Sequence, residues 1–179
     1  WQILPVCPTS FGDSPYQSFS TFAGNPYFID LDELREEGLL ELSEYFDVDW
    51  ESGPGTVNFG TLYDKRYPIL KVAFKRFLDR KSDEFEKFCE EQNWWLDDYA
   101  LFMTIKDANK GASWLEWDEG VKRRNPLAIQ TVERQYKDEI SFWKVSQYFF
   151  FKQWKVLRDY ANDNGVSIIG DLPIYVALD

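Results

Sequence analysis

The chain of 179 residues contains no histidine. That absence removes Ser/His/Asp and Cys/His catalysis, and most zinc sites, from these residues. Its two cysteines, Cys7 and Cys89, stand far apart and in no CxxC arrangement, where a disulfide scaffold of this length carries more. Both are therefore read as reduced thiols in a reducing compartment. No asparagine begins an Asn-x-Ser/Thr acceptor site. No apolar run reaches the roughly 18 residues of a membrane span, and no basic–apolar–small leader pattern is found. Positive charge is also short: 20 Lys and Arg against 31 Asp and Glu leave a net charge of -11. Such a balance repels phosphate backbones and anionic lipid surfaces, so neither nucleic acid nor membrane is expected as a partner.

What is present is a globular composition, 44% hydrophobic and 28% charged. A chain of this length buries roughly 70% of the surface its unfolded form exposes, but it is shorter than the roughly 250 residues of a complete (β/α)8 barrel. Aromatic residues are the excess, at 18%, with eight Trp and ten Tyr. The first and last segments are apolar and begin and end abruptly, as if cut through a fold.

Residues 1–6 read as a short strand of the kind buried in a parallel sheet. Residues 7–30 follow as a long loop, with Pro8, Gly12, Pro15, Gly24 and Pro26 as turn formers. Long ordered loops are more often functional than idle. An acidic helix is expected over 31–43, starting near Asp30 or Asp32, and an irregular stretch through Gly60. From Tyr67 the period becomes helical: Pro68 suits a first turn, and Leu70, Phe74, Phe77 and Leu78 share a face. A second helix is expected from Ser82 to Gln92, burying Phe85, Phe88 and Cys89. A third is expected from Trp94 to Lys106, with Trp95, Tyr99, Phe102 and Met103 inward, until Gly111 breaks it. Residues 114–120 read as loop, and Pro126 opens a helix through Tyr136.

The strongest helical pattern spans 138–163. Phe142, Val145 and Phe149 form one stripe and Phe150, Trp154, Leu157 and Ala161 another, which makes a wide apolar face. Gly165 suits a left-handed cap, and 166–176 reads as a second apolar strand. The ends therefore outline one βαβ unit holding a large helical insertion. Three parts follow: 1–64, a strand with a long loop and short acidic helix; 65–140, a helical insertion subdomain; and 141–179, a crossover helix and the next strand.

Four features carry candidate chemistry. The acids of 47–53 suggest a calcium loop, but Ser52 and Asn58 occupy the positions where that pattern needs Gly and an acid, so a solvated loop is expected. Trp94, Trp95, Trp114 and Trp117 suit either the apolar faces of sugar rings or a core, and helical spacing favours the core. Asp171 lies inside an apolar strand, where an unpaired carboxylate costs several kcal/mol. It either pairs with an Arg or backbone N–H of a neighbouring strand or faces a polar barrel interior and helps hold a ligand. Finally, Ser14, Tyr16 and Gln17 stand in a loop that follows a parallel-type strand, on the side where α/β enzymes place their sites. They offer hydroxyl and amide groups and a flat ring suited to sugars, or serve a structural loop.

The motif Gly12-Asp-Ser-Pro-Tyr-Gln17 lies within a segment, Trp1 to Leu31, that closely resembles the amylomaltase, or 4-α-glucanotransferase, family. Asn93-Trp-Trp-Leu-Asp-Asp-Tyr-Ala-Leu-Phe-Met103, Gln147-Tyr-Phe-Phe-Phe-Lys-Gln-Trp154 and Ile169-Gly-Asp-Leu-Pro-Ile-Tyr-Val176 continue the resemblance in order, over essentially the whole chain. It implies a fragment of a (β/α)8 barrel, an α/β fold, in which residues 1–6 resemble the second barrel strand and 166–176 the third, with 65–140 inserted. It also implies transfer of α-1,4-glucan segments between maltodextrins, with glucose as an acceptor, by a retaining route in the cytoplasm. That chemistry needs two carboxyl groups about 5 Å apart. In the family these, and the active-site histidines, belong to later barrel strands beyond Asp179. The resemblance thus implies no catalytic residue, metal or cofactor in this chain, and substrate contacts at Ser14, Tyr16 and Asp171. The rival expectation is a free-standing glucan-binding or helical interaction module. Phosphate-dependent chemistry has no Gly-rich loop or basic cluster behind it.

Overall fold

The computed structural model describes residues 1–10, 12–173 and 175–176. It is mostly helical. In chain order it contains a two-residue strand β1 (Gln17–Ser18), helices α1 (Leu31–Glu36) and α2 (Phe59–Thr61), and a π-turn at Leu62–Arg66. Helices α3 (Tyr67–Leu78), α4 (Asp83–Ala108), α5 (Glu119–Lys122), α6 (Pro126–Gln135) and α7 (Lys137–Asp163) follow, and then β2 (Tyr175–Val176). Among the described residues no barrel forms, and no helix is long and apolar enough to cross a membrane.

The helix starts follow capping chemistry. Asp30 accepts from the N–H groups of Asp32 and Glu33 and opens α1. Ser82 accepts from Phe85 N and opens α4. Asn125 caps α6, with Pro126 in its first turn. Three sequence expectations are corrected. The acidic helix ends at Glu36 rather than residue 43, because Gly38 turns the chain at φ 70; Leu42–Glu44 makes a separate 3-10 turn. Helical structure already begins at Phe59, within the stretch expected to be irregular. The two helices expected over 82–106 are one, because neither Gly nor Pro interrupts 92–94 and Asn93 costs a helix interior only a few tenths of a kcal/mol. The Trp95 indole N–H donates to Gln92 Oε1 at 2.8 Å across the expected break.

Helices α3, α4 and α7 enclose the main core. Phe74 of α3 and Phe149 of α7 stack with centroids 5.4 Å apart, amid Leu34, Leu39, Leu70, Leu96 and Val145. A satellite cluster of Leu101, Ile105 and Trp117 lies toward α6. The expected inward residues Leu70, Phe74, Phe77, Trp95, Tyr99, Met103, Phe142, Val145, Phe149 and Phe150 are buried. Leu78 and Leu157 are exposed, and Phe85, Phe88 and Cys89 only half-buried. The second stripe of α7 thus leaves the core after Trp154.

The strands differ most from expectation. Residues 1–6 form no strand; a single parallel bridge joins Gln2 to Ile169, through Ile3 N–H to Ile169 O and Ile169 N–H to Trp1 O. A parallel ladder advances two residues per donor, so its next donor here would be Pro5, which has no N–H. The ladder resumes inside the expected loop, where Gln17 and Ser18 pair in parallel with Tyr175 and Val176. Asp171 falls between the two pairings, solvent-exposed rather than inside a strand, so the burial cost argued from sequence does not arise.

Candidate functional site

Bonds between Ser10 and Gln17 close a turn in the loop that carries Ser14 and Tyr16. Ser10 donates both its N–H and its hydroxyl to Gln17 O, at 3.1 and 2.9 Å, and accepts from Asp13 N–H. Gly12 at φ 81 and Asp13 at φ 55 make the reversal; a left-handed pair of this kind tolerates Gly and Asp at least cost. Beneath it the buried Cys7 thiol donates to Pro15 O. Ser14 accepts Tyr16 N–H on its hydroxyl oxygen, which orients the next side chain but one.

That side chain reaches the far end of the chain. Tyr16 Oη donates to Asp171 Oδ2 at 2.8 Å, while Asp171 Oδ1 accepts from Leu172 N–H. The hydrogen bond to Asp171, assisted by desolvation and by the carboxylate's charge, holds the Tyr16 phenol above its ordinary pKa. Among the described residues Asp171 therefore takes neither partner offered for it from sequence: it binds a phenol and its own next N–H. Each of its oxygens keeps lone-pair capacity toward solvent, the Tyr16 ring is half-buried, and the Ser14 hydroxyl proton is uncommitted to a protein acceptor among the bonds described. Together these give a hydroxyl donor at Ser14, acceptors at Tyr16 Oη and the Asp171 carboxylate, and a flat apolar face.

Two open grooves lie elsewhere, of about 420 and 300 Å3, and Ser14, Tyr16 and Asp171 line neither. The first runs between α4 and α7 past Phe88 and Trp154, the second past Tyr63, Lys71 and Trp143. Of the tryptophans, Trp95 and Trp117 are core; Trp94 is exposed, edge-on to Phe22 at 4.8 Å, and Trp114 is also exposed. The acidic loop around Asp49 is tied to the chain itself: Lys65 reaches Asp49 O and Glu51, and Thr61 donates to Glu51.

A 4-alpha-glucanotransferase family model matches residues 1–179. The chain belongs to the 4-alpha-glucanotransferase family. Over its full length it is 45% identical to the 4-alpha-glucanotransferase of Clostridium butyricum. It is 47% identical to that of Streptococcus pneumoniae. The Streptococcus agalactiae amylomaltase, solved in complex with acarbose, superposes over the whole chain with a TM-score of 0.96 at 42% identity. The chain spans 37% of the Clostridium butyricum relative, 36% of the Streptococcus pneumoniae one and 37% of the solved amylomaltase chain.

In this member of the 4-alpha-glucanotransferase family, residues the sequence did not single out hold the loop in place. Gln147, fully buried on α7, accepts Gly24 N–H at 2.7 Å and donates to Gly24 O at 3.0 Å. Further along α7, Gln153 makes the same pair of bonds with Asp30. The signal was in view: a Gln two residues before Phe149, inside an apolar stripe, needs a buried partner for both ends of its amide.

Proposed function

We propose that these residues belong to a longer 4-α-glucanotransferase that moves α-1,4-glucan segments from a donor maltodextrin to an acceptor maltodextrin or glucose. In this reading residues 1–179 grip the glucan, and the reacting groups lie on the remainder. Ser14 and Tyr16 bind sugar hydroxyls and stack on a ring face, and Asp171 accepts from sugar hydroxyls while holding Tyr16. The observation that carries it is the 2.8 Å contact between Tyr16 and Asp171, which joins the two candidate segments at one place. Support also comes from the acarbose complex of the Streptococcus agalactiae amylomaltase relative. The two parallel pairings fit a (β/α)8 barrel fragment carrying the second-to-third strand crossover, divided into 1–64, 65–140 and 141–179. The enzyme acts in the cytoplasm on starch-, glycogen- or maltose-derived chains.

The route is retaining: a carboxylate outside these residues forms a glycosyl-enzyme intermediate, and a carboxylic acid about 5 Å away protonates the leaving oxygen and then deprotonates the incoming 4-hydroxyl. Transfer rather than hydrolysis requires that the acceptor sugar be seated before water attacks, and seating is what a ring face flanked by hydroxyl and carboxylate provides. The test is incubation with maltotriose. The full-length protein is expected to yield glucose and longer maltodextrins, and residues 1–179 alone neither. Turnover by residues 1–179, or none by the full-length protein, overturns the proposal.

A further inference from the structure

Resting on the reading of Tyr16 as a sugar contact, we propose that Gln147 is a positioning residue for it, acting through the backbone of Gly24. Among the described residues the β1–β2 ladder pairs Gln17 and Ser18, directly after Tyr16. The arm that leaves this ladder is held by bonds of its own. That arm is a relay of side-chain and backbone bonds. Ser18 donates its hydroxyl to Ser20 O, Ser20 accepts the N–H groups of Phe22 and Ala23, and Asn25 N–H returns to Val6 O. The relay ends on Gly24, the residue whose N–H and C=O are both taken by the Gln147 amide.

The grip is tight because the backbone lies against the helix. A Cβ placed on Gly24 would fall 1.9 Å from Phe150 Cδ1, so only glycine lets the peptide approach the amide. Gln147 is buried, water does not compete for its two bonds, and releasing them strands a donor and an acceptor on each side. Gln147 is separated from Gly24 by 123 positions, so α7 sets where the loop's return arm lies and, through eight residues, where the Tyr16 ring points.

The test uses the full-length protein with maltotriose as donor and acceptor. Gln147→Leu keeps the volume and removes both bonds; KM is expected to rise about tenfold, the size of one or two hydrogen bonds, with kcat within about twofold. In a Tyr16→Ala background the same substitution is expected to change kcat/KM by less than about twofold, because the group it positions is gone. Leu101→Ala, in the satellite cluster, supplies a variant of comparable lowered Tm whose KM stays at the parent value well below unfolding. If Gln147→Leu does not fold, Gln147→Glu, which retains the acceptor for Gly24 N–H, carries the same cycle. Equal factors in both backgrounds, or no change in KM, overturn the positioning role while leaving Tyr16 a sugar contact. An unchanged kcat/KM for Tyr16→Ala alone overturns the sugar contact itself, and the positioning role with it.

Discussion

Tyr16 donates its hydroxyl proton to Asp171 at 2.8 Å although 155 positions separate the two residues. The contact depends on two short parallel pairings, Gln2 with Ile169 and β1 with β2, which lay the loop after residue 6 alongside the segment after α7. Its electrostatic trace is the raised pKa of Tyr16, caused first by the hydrogen bond to Asp171. Asp171→Asn is therefore expected to bring the phenol back toward the ordinary value near 10. Tyrosinate absorbance titrations read the shift, with Tyr16→Phe as the blank. An unshifted phenol would mean the contact does not form in solution.

The approach of Gly24 to Phe150 gives a second expectation. A methyl group there meets the buried Phe150 ring at 1.9 Å, so either the clamped peptide or the ring must shift. Gly24→Ala is expected to cost about 3 kcal/mol, at the upper end for overpacking. In a Phe150→Leu background, where the ring is gone, the added cost should fall below about 1 kcal/mol. Denaturant unfolding of the four proteins checks it, and additive costs would contradict the close approach.

Helix α3 is tied to the 3-10 turn at Leu42–Glu44 by Arg76, which donates Nη1 to Glu44 Oε2 at 2.7 Å and Nη2 to Oε1 at 2.8 Å. Arg76 holds the Glu44 carboxyl below its ordinary pKa, helped by the Glu41 backbone N–H. For a depressed acid the stabilisation is full above the unfolded pKa, near 4.3, and is lost as pH falls through the folded value. The pair is partly exposed, so its contribution is about 1 kcal/mol. Glu44→Gln should thus be less stable than the parent by about that amount at pH 7, with the gap closing below about pH 4. A gap independent of pH would contradict the assignment.

The helices were legible wherever packing and local chemistry agree. Pro126 marks a start, Phe142, Val145 and Phe149 mark a buried face, and Gly165 at φ 75 marks an end, whereas Pro68 lies within a helical run that begins at Phe59. Legibility failed where the decision is not local. The unbroken helix across Asn93 was readable from the absence of Gly and Pro in 92–94; what the sequence did not show is that Trp95, packed in the core, bonds back to Gln92. Apolar character in residues 1–6 suggested a strand, but a ladder is made by donors, and Pro5 has none. Ser14, Tyr16 and Asp171 could be picked out as residue types suited to sugars, yet that two of them touch follows from strand register, which no single segment encodes. For Gln147 the sequence shows the need for a buried partner but not its identity, because that partner is the backbone of Gly24.

The claim that these residues hold the glucan rather than react with it is tested most directly by Tyr16→Ala in the full-length protein, assayed as maltotriose disproportionation beside the melting temperature. Loss of a ring face and a hydrogen bond, about 2 kcal/mol together, should lower kcat/KM roughly 30-fold while the half-exposed position leaves Tm within about 2 °C. Unchanged kcat/KM in a protein of unchanged Tm would contradict the account.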